Sequence, residues 1–252
     1  FIKLFGSMQV TLDGSPLQGL ESAEVRALLA YLVMESAQAH EREYLAGLFW
    51  SEMSEAQAHH GLSQSLYNLR QVLGEASKTG DLSGKPASHS PFILVTSHTV
   101  QFNPLSDYAL DVQEFERCVT RVRQHAHIRQ ETCTPCARLL RQAEQHYQGE
   151  FLAGSSLRGC QAFEEWALVW RERLHSLVCG VLSDLAVYYE ARAELRLALE
   201  LSDRWTLVDP LSEPAQRGLM RLLALDGQRT QALAHYAGFR KQLGAELGVE
   251  PG

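Results

Sequence analysis

The strongest constraint in this sequence is a change of hydrophobic period near residue 107. Beyond it, apolar residues recur almost everywhere at spacings of three and four, the period of an amphipathic helix. Helices are expected over 112–124, 136–147, 161–189, 191–208, 213–225 and 230–247. The breaks between them are Gly149, Gly154-Ser155-Ser156, Asp209-Pro210 and Asp226-Gly227. Helices of this length joined by short turns suggest a helical-repeat array, although no strict repeat period stands out.

The first part of the chain mixes periods. Residues 2–5 and 8–12 read as short strands closed by the turn Asp13-Gly14-Ser15-Pro16. Helical spacing then predicts helices over 21–35, 42–50 and 55–73, the last stopped by Gly74. A polar stretch through Ser90 follows. Residues 92–95 and 99–102 read as the two strands of a hairpin, and Asn103-Pro104-Leu105-Ser106 is the expected boundary. Two domains are therefore expected, 1–105 and 106–252.

Composition narrows the class. The 252 residues are 45% hydrophobic and 21% charged, which fits a soluble globular chain. The longest apolar run, Leu28 to Met34, has seven residues, whereas a bilayer span needs about 20. No secretory leader is visible, and the opening on Phe1 reads as a trimmed fragment. Five cysteines in a chain of this size point to a reduced, cytoplasmic setting. The net charge is −7, and residues 1–105 carry 6 basic and 10 acidic side chains. Neither part has the basic excess common in nucleic-acid binders.

The third expected helix is unusual. Leu62, Leu66, Leu69 and Leu73 form one narrow apolar stripe. The opposite face carries Gln57, His60, Gln64, Tyr67, Asn68 and Gln71, with Ser63 and Arg70 on its flank. Solvated faces more commonly carry Lys and Glu. Amides can pair with adenine edges in the major groove, and Arg with guanine or phosphate. The plain alternative is a polar surface helix that touches nothing.

The segments Phe5-Gly6-Ser7-Met8-Gln9-Val10, Arg26 to Leu32, Leu48-Phe49-Trp50 and Leu66 to Leu73 resemble the antibiotic regulatory protein family of bacterial transcriptional activators. So do Tyr147-Gln148-Gly149-Glu150-Phe151-Leu152-Ala153-Gly154, Phe163-Glu164-Glu165-Trp166, Arg171-Glu172-Arg173-Leu174 and Asp209-Pro210-Leu211-Ser212-Glu213-Pro214. The segments Gly227-Gln228-Arg229 and Glu246-Leu247-Gly248 fit as well. The resemblance implies a mainly α chain. Its front would be a winged helix of response-regulator type (α+β), followed by an all-α, tetratricopeptide-like activator domain.

By this resemblance the chain is a sequence-specific DNA-binding activator, not an enzyme. Its third helix would enter the major groove, with Gln57, His60, Ser63, Gln64, Tyr67, Asn68 and Arg70 as readers. Thr96, Ser97, His98 and Thr99 would form the wing, and Arg26 would touch a phosphate. The implied partners are promoter DNA, RNA polymerase or a sigma factor, and a second copy on DNA, with no membrane involved. Similar regulators often continue into an ATPase or further repeats. The acidic charge keeps open a second reading: the same fold as a docking module of a larger signalling protein.

One metal-like group stands out. His125, His127, Cys133 and Cys136 offer two imidazoles and two thiols, the number needed for tetrahedral zinc. The alternative is a helix end with exposed histidines beside two cysteines that start the next helix. A redox pair lacks its usual βαβ setting. Gly80 to Pro86 departs from a phosphate loop, because Pro86 stands where Ser or Thr should hold magnesium. The stripe Phe163, Trp166, Trp170 is expected to pack inside, as are Tyr188, Tyr189, Trp205 and Tyr236.

Overall fold

The computed structural model describes residues 1–75, 91–126, 130–157 and 159–251, the side chain of Gln130 excepted. The polar stretch containing Gly80 to Pro86 lies outside the described residues. The chain forms two compact units, 1–113 with 148–171 and 114–147 with 172–252. The division therefore does not fall at residue 105. Residues 106–113 and 148–171 fold with the first unit, for reasons given below.

In the first unit, β1 (Ile2–Lys3), β2 (Gln9–Leu12) and β3 (Ser15–Pro16) form an antiparallel sheet in that order. Helix α1 (Ala23–Met34) follows. Ser22 caps it by accepting the Val25 N–H at 3.4 Å. The apolar run inside it is buried on nearly every side, with Leu28, Leu29, Leu32 and Val33 fully covered. Strand β4 (His40–Glu41) leads into α2 (Arg42–Phe49) and then α3 (Glu55–Val72). Gly74 ends α3 at φ +74°, the left-handed conformation that favours glycine. Strands β5 (Ile93–Val95) and β6 (Thr99–Phe102) form the hairpin, and β4 joins the open edge of β6, opposing His40 to Val100.

Two distant segments complete this unit. Asp111 is buried, and its carboxylate accepts the backbone N–H groups of Leu4 and Phe5 at 2.9–3.0 Å. Further along, Leu152 N–H donates to the Leu4 carbonyl at 2.8 Å, and Gly6 N–H to the Glu150 carbonyl at 2.9 Å. The backbones approach so closely that a Cβ on Gly149 would lie 3.3 Å from the Gly6 Cα. Phe163 is buried against Phe49, with ring centroids 5.4 Å apart. Trp166 and Trp170 are half-buried rather than fully packed away, and their indole N–H groups donate to Glu35 at 2.9 and 3.3 Å.

The second unit is helical among the described residues. It holds most of α4 (Asp111–Gln124), then α5 (Thr134–His146), the latter part of α6 (Gln161–Ala191), α7 (Leu195–Val208), α8 (Glu213–Leu225) and α9 (Arg229–Glu246). Helix α7 packs on α8, and α8 on α9. Ala198, Leu201, Leu219, Leu222, Phe239 and Leu243 fill the spaces between them. Ser212 caps α8 while Pro214 occupies its first turn, where no N–H is needed. Gln216 is buried and donates to the Pro210 carbonyl at 2.7 Å, which fixes the turn before α8. Tyr236, expected inside, is 42% exposed, while Ala232, Phe239 and Leu243 of the same helix are buried. No described helix is long and apolar enough to cross a membrane.

Candidate nucleic-acid interface

Helix α3 separates its two faces as its spacing requires. Leu62, Leu66, Leu69 and Leu73 are buried, while Gln57, His60, Ser63, Gln64 and Tyr67 are exposed. Asn68 and Arg70 are half-buried at the margin. The outward side chains are ordered by one another. Gln64 Nε2 donates to Asn68 Oδ1 at 3.0 Å, and Gln71 Nε2 donates to the Tyr67 hydroxyl at 3.0 Å. These i, i+4 bonds hold the amides in defined orientations but leave the Asn68 NH2 and the Gln64 carbonyl as the polar groups to offer a base edge. Gln57 is engaged differently. Its Oε1 accepts both the N–H and the hydroxyl of Ser54 in a capping box, at 3.2 and 2.8 Å.

Cations are sparse on this face. Arg70 is half-buried, its Nε has no hydrogen-bond partner, and its charge lies near the Glu75 carboxylate. A second guanidinium reaches α3 from elsewhere in the chain. Arg42, the first residue of α2, donates from Nη2 to Ser63 Oγ at 3.0 Å. Its backbone N–H donates to the carbonyl of His98, at the tip of the hairpin, at 2.9 Å. One residue thereby links the α3 face to the wing. Sequence reading missed it, because its helix, its side-chain partner and its backbone partner lie in three separate segments.

The wing turn is internally satisfied. Thr96 Oγ1 accepts the N–H groups of His98 and Thr99 at 3.2 and 2.8 Å, leaving Thr96, Ser97 and His98 exposed and Thr99 half-buried. Glu75 ties the end of α3 to the wing by accepting the N–H groups of Phe92 and Ile93. Burial holds its carboxyl above the usual range, while those N–H groups and Arg70 pull it down. Arg26 stands apart from these residues. It lines a small cleft with Met8, Leu152, Ser155 and Phe163, in which no α3 or wing residue takes part.

In the second unit, His125 follows the end of α4, and Cys133 and Cys136 begin α5. His125 Nδ1 lies 3.2 Å from Cys136 Sγ and 3.6 Å from Cys133 Sγ. His127 lies outside the described residues. Burial pushes the Cys136 thiol up to about 11, the opposite of what a reactive redox thiol requires. A second group, His175, Cys179 and Asp209, was not visible in the sequence because Asp209 is remote from the α6 pair.

Residues 110–252 match the family model of the bacterial transcriptional activator domain. The chain belongs to the bacterial transcriptional activator domain family. This activator-domain chain is 27% identical over 249 residues to the regulatory protein AfsR of Streptomyces coelicolor, covering 98% of the chain and 22% of that relative. With AfsR of Streptomyces griseus it shares 27% identity over 244 residues, covering 94% and 22%. It thus spans about a fifth of the length of these curated relatives. Its fold resembles that of EmbR of Mycobacterium tuberculosis, solved in complex with a low-affinity phosphopeptide. The TM-score is 0.71 at 22% identity, over 100% of this chain and 61% of that one. The fold is accordingly a winged helix followed by a helical domain.

Proposed function

We propose that this activator-domain chain binds promoter DNA through α3, with the wing against the backbone, and uses the helical unit to pair two copies and engage RNA polymerase or a sigma factor. The carrying observation is Arg42. It joins Ser63 on the exposed α3 face to His98 at the wing tip, so that a helix and a hairpin present polar groups on one linked surface. In this reading Asn68 and Gln64 read a base edge, Arg42 and His98 meet phosphates, and Gln57 sets the start of the helix rather than reading sequence. Arg26, lining its own cleft, is not among the groups assigned to DNA.

A second reading is favoured by charge. With a net charge of −7 and Arg70 the lone Lys or Arg on α3, long-range attraction to DNA is weak. The same surface would then dock a protein. Titration of the chain with duplex DNA selected from a random-sequence library, at two salt concentrations, separates the readings. DNA binding gives affinity that falls steeply with salt; a docking module gives no selected sequence.

A further inference from the structure

We propose that His125, Cys133 and Cys136 together hold one zinc ion, which joins the end of α4 to the start of α5. Tetrahedral zinc takes nitrogen at about 2.1 Å and sulfur at about 2.3 Å, so a nitrogen and a sulfur on one ion stand about 3.6 Å apart. Of the two nitrogen-to-sulfur separations here, 3.6 Å to Cys133 matches that spacing, and 3.2 Å to Cys136 is somewhat shorter. The three donor atoms all lie within 4.8 Å of one another.

The local fold explains the convergence. Cys133 is the N-cap of α5 and its thiol makes no capping hydrogen bond, so it is not spent on the helix. Cys136 sits three residues on, in the first turn, which brings both sulfurs to the same helix end. His125 enters from the other side, held by its N–H donating to the Val122 carbonyl at 3.2 Å. On binding, each thiol gives its proton to solvent and each sulfur donates a pair to the ion. A soft-leaning N,S,S donor set selects zinc over magnesium or calcium.

The group at His175, Cys179 and Asp209 is the natural control. It offers a single thiol, 3.9 Å from His175 Nε2, and that nitrogen already lies 3.2 Å from the Val208 carbonyl.

The test is titration of the reduced, chelator-treated chain 1–252 with cobalt(II) as a zinc probe, read by absorbance, together with the zinc content of the untreated protein. The expected result is one metal per chain, with a thiolate-to-cobalt band and visible bands of tetrahedral intensity. Cys133→Ser and Cys136→Ser lose the thiolate band. His125→Ala, whose side chain is exposed and whose loss leaves the core intact, weakens binding at least tenfold. Cys179→Ser changes nothing. Absence of a thiolate band in the wild-type chain, its persistence in Cys136→Ser, or its loss in Cys179→Ser overturns the proposal. Circular dichroism of each variant confirms that loss of metal is not loss of fold.

Discussion

The indole N–H of Trp166 donates to a Glu35 carboxylate oxygen at 2.9 Å, and the two residues are separated by 131 positions in the chain. Trp170 donates to the same oxygen. One acidic side chain at the end of α1 thereby holds the 148–171 segment onto the first unit. Replacing Glu35 with Ala takes this carboxylate away from two partly buried indole N–H groups. The expected loss is about 1–3 kcal/mol, measured by urea unfolding, with Glu35→Gln losing less. An unchanged midpoint in Glu35→Ala would show that the two indoles find water instead.

Asp111 carries the same dependence further. Its buried carboxylate is the acceptor for Leu4 and Phe5 N–H, so a fragment ending at residue 105 loses it, together with Phe151, Trp166 and Trp170. Such a fragment is expected to unfold without a cooperative transition. Asp111→Ala in the full chain is expected to cost about 2–4 kcal/mol, because two buried backbone donors lose this carboxylate. A sharp melting transition in the 1–105 fragment would contradict this.

How much of this was legible in the sequence depends on range. The stripe Leu62, Leu66, Leu69, Leu73 and the outward amides opposite it follow from a period that repeats within one helix, and both appear where the spacing puts them. The hairpin strands were legible for the same reason. Strand β4 was not, because two residues carry no period and exist as a strand only through pairing with β6. The approach of Gly149 to Gly6, the Asp111 contacts and the reach of Arg42 to Ser63 are long-range, and no local pattern announces them. Gln57 read as a base reader from its face alone; its use in the cap depends on where the helix begins.

Gln64 and Asn68 are expected to act as a unit. The amide bond between them orients Asn68, so loss of Gln64 misaligns it without removing it. Asn68→Ala is expected to cost about 1–3 kcal/mol of specific binding. The double variant should lose less than the sum of the two single losses, as a double-mutant cycle on selected duplex DNA would read. Strict additivity would indicate that each side chain contacts DNA independently.

Arg42→Ala is expected to weaken binding about equally across sequences and to lower the salt slope by about one, because it removes a phosphate contact rather than a base contact. A change confined to one operator position would instead make Arg42 a base reader.

Glu75 supplies a pH signature. Burial raises its carboxyl above the ordinary value of 4.5, so the folded state binds this proton more tightly than the unfolded state. Its stabilising contribution is complete below 4.5 and is lost as pH rises through the folded value. Glu75→Gln removes that loss. The stability of the Gln variant relative to wild type should therefore rise with pH across this window and then level off. A relative stability that falls with pH would reverse the sign and refute the assignment to burial.

The central claim is that the linked surface of α3 and the wing binds DNA. The most direct measurement is the affinity of chain 1–252 for a selected duplex at two salt concentrations, for wild type, Asn68→Ala and Arg42→Ala in parallel. Salt-dependent binding by wild type is expected, with sequence preference lost in Asn68→Ala and the salt slope reduced in Arg42→Ala. Binding that neither substitution alters, or no binding at either salt concentration, would contradict it.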